Sequence, residues 1–390
     1  MPIPAPLRVL VVGSGMYVCG RGTDSNGTVL PSLAEASRRG LVGAVAVSVR
    51  KRSSFAALLA KLKGLNRLLG TRLAVESFVG PGSHRAAARE FRPDAALIVT
   101  PDDTHAAIAS DLIRAGVHVL VVKPLAPSLA EARALERLAR ERGVHGAVEF
   151  HKRFDEANLK LVEALRSGRL GDVSYFVVEY SQRRSVPLGL FRDWAARTNI
   201  FQYLGVHYAD IIRFATGARP LRAAALGRMG LLAAKGVRTY DSVQALIEWE
   251  ASAPKRGRFS SAILVNWIDP DSTTALSDQR IKVIGTLGRF ESDQKDRGVS
   301  IVSEGRLPET INPYFSQFFP APGGRGLIFA GYGEKSFRSF LEDASELKAG
   351  RTTPAALERV RPSFREALAS TAVVDGVNRS LARNGAWVRL

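Results

Sequence analysis

The sequence is poor in cysteine: Cys19 stands alone among 390 residues. An intrachain disulfide is therefore excluded, and a reducing compartment, with the cytoplasm as the default, is the expectation. Long apolar runs are also missing. None approaches the ~18 residues needed to span a bilayer, so no membrane-spanning helix is expected. The opening stretch MPIPAP has neither the basic start nor the apolar stretch of a secretory signal. No phosphate loop of the Walker type and no nucleophile elbow occurs. No spacing of His, Cys, Asp and Glu argues for a metal.

Positive charge is what the chain has in excess. Lys and Arg number 55 against 37 Asp and Glu, a formal net charge of +18. The cations are scattered, mostly as Arg on expected helix faces, with no block of five or six like charges and no basic tail. That distribution reads as solvated surface with a small share serving phosphates, and not as a nucleic-acid surface. At 46% hydrophobic and 24% charged residues the composition is globular, so a sizeable core is expected. The length suggests two or three domain-sized units.

Five short apolar runs organise the first part: Leu7–Val12, Val42–Val49, Asp94–Thr100, Val117–Val122 and Gly143–Phe150. Such runs suit parallel strands buried on both faces. Helical patterns separate several of them. Ser128 with Glu131 three residues on is a capping box, Ala132, Leu135 and Leu138 follow at helical spacing, and Gly143 is the stop. Strand–helix alternation predicts a doubly wound parallel sheet over residues 1–150. One helix, capped by Asp155 and stopped by Gly168, opens residues 151–390. There the β-rich segments 173–181, 221–229, 241–250, 260–268 and 279–303 predict an α+β domain with a large, mostly antiparallel sheet. Helices return at 334–348 and 354–383, with packing back onto the first domain left open.

Gly13-Ser14-Gly15 directly follows the first strand. Glycines there let backbone approach a pyrophosphate, with Met16 and Tyr17 opening the next helix. The third glycine of the usual pattern is Val18, and Gly20, Gly22 and Gly27 follow, so the loop is longer than usual. After the second strand, Arg50-Lys51-Arg52 stands where an acid would bind the ribose hydroxyls of NAD. Guanidinium groups suit a 2′-phosphate instead, which favours NADP(H) over NAD(H).

The set Thr100-Pro101-Asp102-Asp103-Thr104-His105, Val122-Lys123-Pro124-Leu125, His151-Lys152-Arg153-Phe154-Asp155, Ser167–Val173, Gly285–Phe290 and Ser363–Arg379 resembles, in order, the Gfo/Idh/MocA oxidoreductases. The resemblance implies a Rossmann domain, a second α/β domain and a nicotinamide cofactor. It implies a catalytic lysine at Lys123, with Val122 replacing the usual glutamate and a cis bond to Pro124. It implies a catalytic histidine at His207, and Tyr203, in the place of the usual aspartate, is a third catalytic candidate that would hydrogen-bond His207 or reach substrate itself. Thr100, Pro101 and His105 then wall the nicotinamide, and His151, Arg153, Trp194 and Asn199 are candidate substrate contacts.

Hydride transfer from an alcohol needs a base for the hydroxyl proton, and histidine has a suitable pKa range. An ammonium favours the developing alkoxide. The sequence therefore points to an NAD(P)-dependent oxidoreductase acting on a sugar, nucleotide-sugar or cyclitol-like hydroxyl or ketone. Two rivals stay open: a dinucleotide-binding regulatory protein without turnover, and a lyase or glycosidase using a held nicotinamide transiently. A homodimer or homotetramer is expected. Val243, Ala245, Ile247 and Trp249 alternate with polar residues and make one apolar strand face, the argument for a partner there.

Overall fold

The computed structural model describes residues 5–251, 257–324 and 326–390. The first four residues of the MPIPAP stretch lie outside the described residues. Two compact units divide the chain. One takes the chain up to Ala126 together with Ala130–His151 and Tyr314–Ala367; the other takes Pro127–Leu129, Lys152–Pro313 and Leu368–Leu390.

The first unit alternates strand and helix. In order come β1 (Leu7–Val12), α1 (Met16–Cys19), α2 (Val29–Arg38), β2 (Val42–Val49), α3 (Arg52–Leu69), β3 (Glu76–Val79), α4 (Ser83–Glu90), β4 (Ala95–Ile98), α5 (His105–Arg114), β5 (His118–Val122), α6 (Leu129–Glu141) and β6 (Gly146–Glu149). All six strands pair in parallel, in the order β3-β2-β1-β4-β5-β6. Four of the five anticipated strands are almost wholly apolar and buried, as a sheet covered on both faces requires. β3 escaped the sequence reading because only Phe78 of its four residues is buried. The helix Tyr332–Lys348 belongs to this core: Phe337, Phe340, Leu341 and Ala344 pack with Val9, Val11 and Leu33. Glu35 on α2 accepts a hydrogen bond from the Phe329 amide at 2.8 Å, fixing the short strand Leu327–Ala330, which pairs with Gln317–Pro320.

The second unit opens with α7 (Glu156–Arg166), whose N-terminal amide at Ala157 donates to the Asp155 carboxylate at 3.1 Å. β7 (Val173–Arg183), α8 (Arg192–Ala195), α9 (Val206–Thr216), β8 (Arg219–Arg228), β9 (Ser242–Glu250), β10 (Arg258–Asp269), β11 (Ser277–Gly285) and β12 (Arg289–Asp293) follow. With the short strand Val388–Arg389 they form one seven-stranded sheet, β12-β11-β7-β10-β9-β8 and then the C-terminal strand. Only β7 and β10 run parallel; the other pairs are antiparallel. The single β-rich segment anticipated at 279–303 is broken into β11, β12 and a two-residue strand at Ser300–Ile301.

The partner-facing role expected of the strand Ser242–Glu250 does not hold for its apolar face. Val243, Ala245, Ile247 and Trp249 are all buried within the single chain. Their alternation marks the face that carries the unit's own helices: Tyr208 of α9 meets Tyr180 of β7 edge-on, with ring centroids 6.0 Å apart. The four residues therefore give no argument for a partner.

The first unit depends on Gly13. Its φ is +120°, and a Cβ there would lie 2.1 Å from the carbonyl oxygen of Val99. Gly13→Ala should therefore destabilise the first unit by at least ~2 kcal/mol through strain at this backbone geometry. Denaturant unfolding of the variant against the parent checks this.

Candidate active site

In the first unit the sequence-anticipated residues collect at one end of the sheet. The strand order reverses between β1 and β4, the switch point at which doubly wound sheets bind ligands outside their carboxyl ends. Gly13, Ser14 and Gly15 leave β1 there, Thr100 and Pro101 follow β4, and Lys123 and Pro124 follow β5. His151 follows β6. Gly15 precedes α1 and a Cβ on it would meet no atom within 4 Å, so space above the loop is open to a ligand. The Lys123–Pro124 bond is cis. Lys123 is half-buried. His105 is 1% exposed, with Nδ1 2.8 Å from the Pro124 carbonyl oxygen and Nε2 2.9 Å from that of Thr100.

Tyr17 of α1 and His151 meet around a residue that sequence reasoning missed. The buried Glu149 carboxylate has both oxygens 3.0 Å from His151 Nδ1, and the Tyr17 hydroxyl donates to Oε1 at 3.2 Å. The His151 ring stacks on Tyr332. The available signal was an acid ending the otherwise apolar run Gly146-Ala147-Val148.

Arg50, Lys51 and Arg52 end β2 and begin α3, and all three are exposed. A fourth cation joins that neighbourhood. Arg21, from the glycine-rich loop, donates through Nη1 to Ser54 Oγ at 2.7 Å and to Ser14 Oγ at 3.4 Å. It thus ties the loop that follows β1 to the first turn of α3. Lys61 pins the same loop by donating to the carbonyls of Thr23 and Ser25 at 2.6 and 2.9 Å. The clue to Arg21 was a lone guanidinium between two glycines.

In the second unit, His207 lies in the first turn of α9 and is 3% exposed. Tyr203 sits one turn earlier, in the π-helical turn Phe201–Gly205. Its ring is enclosed by Phe191, Trp194 and Trp267, at centroid distances of 5.4, 5.4 and 5.5 Å. Burial raises its pKa well above the ordinary phenol value, so the hydroxyl keeps its proton at neutral pH. Trp194 is a wall of that aromatic cluster. Asn199 accepts from the Gln202 amide at 2.9 Å and donates to Asn378 Oδ1 at 2.8 Å, so its side chain holds the turn. Arg153 makes a bidentate ion pair with Asp210 of α9, at 2.8 and 2.6 Å. Lys152, 2% exposed, donates to Gln279 and, at 2.7 Å, to Gln294, with the Tyr208 and Tyr180 rings 5.3 and 5.5 Å away. Among the described residues no group of three or more His, Cys, Asp and Glu is set to hold a metal ion, and no helix is long and apolar enough to cross a membrane.

A glycine-bearing turn at the switch point, open space over Gly15 and a lysine at a neighbouring strand end fit a nicotinamide dinucleotide. The class is that of dinucleotide-binding oxidoreductases with a second, sheet-based unit. Residues 7–150 match the model described as the oxidoreductase family, NAD-binding Rossmann fold, of Gfo/Idh/MocA, and residues 158–291 match the model of its C-terminal domain. The chain belongs to the Gfo/Idh/MocA family and is an oxidoreductase. It is 25% identical to an inositol 2-dehydrogenase of Rhizobium meliloti over 297 residues, covering 74% of this chain and 78% of that one. It is 29% identical to a 1,5-anhydro-D-fructose reductase of Ensifer adhaerens over 278 residues, covering 67% and 79%. An inositol dehydrogenase homolog from Azotobacter vinelandii, solved with NADH and myo-inositol, shares the fold with a TM-score of 0.70 at 18% identity, covering 100% of this chain and 98% of that one.

Lys152 makes the stability of the fold depend on pH. Burial, only partly offset by Asp155, brings its pKa down to about 7 from 10.5. Between those values the folded chain holds one proton fewer than the unfolded chain, so stability rises with pH across that window. The cost of burying the ammonium is full below about pH 7 and gone once both states are neutral. Lys152→Met should flatten this slope in unfolding experiments run from pH 6 to ~10.5.

Proposed function

We propose that the chain transfers a hydride between a nicotinamide dinucleotide and a hydroxyl or keto carbon of a sugar, nucleotide-sugar or cyclitol-like substrate, with NADP(H) favoured over NAD(H). The observation that carries the reading is the gathering of Gly13, Gly15, Thr100, Pro101, Lys123 and Pro124 at the carboxyl ends of β1, β4 and β5. The substrate class draws support from relatives named for an inositol and an anhydro sugar. In this reading residues 1–150 bind the dinucleotide, and 151–390 bind substrate and carry the oligomer contact.

The nicotinamide supplies or accepts the hydride when bound. Gly13, Gly15, Met16 and Tyr17 would hold the pyrophosphate end, and Thr100, Pro101, His105 and Pro124 the nicotinamide end. His207 takes the substrate hydroxyl proton during oxidation and returns it during reduction. The Lys123 ammonium stabilises the negative charge that develops on the substrate oxygen. Tyr203, held as a neutral phenol by burial, serves as a donor and wall and not as a base. His151, Arg153, Trp194 and Asn199 are retained as substrate-side residues; for Arg153 and Asn199 this is an indirect part, since both are engaged with neighbours.

NADP preference draws support from the cations at the β2 end together with Arg21. An added 2′-phosphate would find guanidinium groups and the Ser54 hydroxyl in one neighbourhood. NADP(H) should bind more tightly than NAD(H) by calorimetry. Arg21→Ala and Arg50→Ala should each narrow the gap by about 1.5–3 kcal/mol, the range of a hydrogen bond to a charged group. Equal affinities in the parent would remove the NADP assignment.

Turnover on a panel of polyols and their ketones tests the chemistry. His207→Ala and Lys123→Ala should lose ~10²–10⁴ in kcat while still binding cofactor, whereas Tyr203→Phe should lose less than ~10-fold. Wild-type rates in His207→Ala would sink the role given to that residue.

The oligomer reading now rests on the opposite sheet face. There Leu246 pairs with Ala262, and Ala262 with Val177; Leu264 pairs with Gln244, and Gln244 with Leu226. Tyr175, Leu226, Leu246 and Leu264 are exposed on it. We take this face as the contact of a homodimer or homotetramer. Leu246→Arg should lower the mass measured by light scattering; a parent of monomeric mass would end the reading.

A further inference from the structure

We infer that His105 is a positioning residue: its ring ties the carbonyls of Thr100 and Pro124 together and so sets the direction in which Lys123 leaves β5. The inference rests on the assignment of Lys123 to catalysis and adds the group that aims it.

The ladder between β4 and β5 ends at the pair Ile98–Val121. Beyond it the two chains pass into the turns that carry Thr100 and Lys123. Pro124 has no N–H, so its own backbone cannot donate across the gap. His105, at the start of α5, bridges the gap with a side chain. Nδ1 reaches the Pro124 oxygen at 2.8 Å and Nε2 the Thr100 oxygen at 2.9 Å. Thr104, one residue earlier, braces the same turn: its hydroxyl donates to the Pro101 carbonyl at 2.7 Å, and its oxygen lies 2.8 Å from Thr100 Oγ1, whose hydroxyl can donate to it. The ring is buried, so water does not compete for either carbonyl.

Both partners are carbonyl oxygens, which only accept. A ring with one N–H can satisfy one of them and turns a lone pair toward the other. The two-bond tie is therefore the protonated ring. Burial opposes that state and lowers the pKa, while Asp102 most strongly, then the two carbonyls and Asp103, favour it. Asp102 and Asp103 belong to the short turn Asp102–Thr104, and Lys123 is the cation beside Pro124. The tie is complete at acid pH and loses one of its bonds as pH rises through the folded pKa, which lies below the ordinary histidine value of 6.5.

Two measurements test this on the full-length chain. The first is nitrogen-15 NMR of the histidine rings in the unmodified protein. At low pH, still within the folded range, His105 should show two protonated, slowly exchanging ring nitrogens. A ring with a single proton throughout the folded range overturns the tie. The second compares His105→Gln, which keeps a donor for one carbonyl, with His105→Leu, which keeps none. Turnover should fall ~10-fold or more in the leucine variant and less in the glutamine variant, a larger factor in each than the change in the NADP⁺ dissociation constant. In both variants the pH profile of kcat should keep the inflection of the proposed base His207 and lose any further one that belongs to His105. Turnover within twofold of the parent in His105→Leu overturns the positioning role. Lys123→Ala is measured in parallel. If that variant retains turnover, the catalytic reading of Lys123 fails, while the NMR result still decides the tie.

Discussion

The close approach of Gly13 to the Val99 carbonyl is the constraint on which the candidate site depends. β1 and β4 lie side by side in the sheet, and their chains turn away from it at the same level. A side chain on residue 13 would occupy the space of the Val99 oxygen. With a side chain there β1 would have to end earlier, or β4 shift outward, and the spacing of the two turns at the switch point would change. The turn after β1 and the turn after β4 therefore keep their spacing because one residue has no Cβ. The elements added around it follow from that spacing. Arg21 ties the loop after β1 to α3, and Glu149 with Tyr17 ties α1 to the end of β6.

The second unit is held by a different means. Two cations at the start of its chain, Lys152 and Arg153, are buried, and Arg297 is nearly so, with its side chain 10% exposed. Arg153 pairs with Asp210 and Arg297 with Asp155, both carboxylates almost wholly buried. Pairing of this kind contributes little net stability against an apolar alternative, because desolvation offsets the attraction, but breaking one side leaves an uncompensated charge. Lys152 has amide oxygens in place of a carboxylate and is accordingly the cation whose charge burial disfavours. The Arg153–Asp210 pair fixes α9, the helix that carries His207, to the turn His151–Phe154.

Much of the first unit was legible in the sequence because its signals are local. A buried parallel strand is a continuous apolar run, and LRVLVV or VGAVAVSV is readable without knowing its neighbours. β3 was not legible, because its buried content is a single phenylalanine. The alternation in Val243–Trp249 was read correctly as one apolar face, but the sequence carried no information on what covers it. Helices of the same chain do. Glu149, Arg21 and the two bonds of His105 were hidden for a related reason: each is a contact between residues far apart along the chain or a choice of acceptor for a ring nitrogen.

The sequence by itself determined the strand–helix alternation, the glycine turn after β1, the lysine–proline turn after β5 and the family to which these belong. Each rests on periodicity or on a backbone geometry that particular residues favour. Only the tertiary structure decided which groups those residues meet. A hydrogen bond depends on separations of about 3 Å, and two residues 19 positions apart, such as His105 and Pro124, reach that distance only when their strands are paired and their turns have closed.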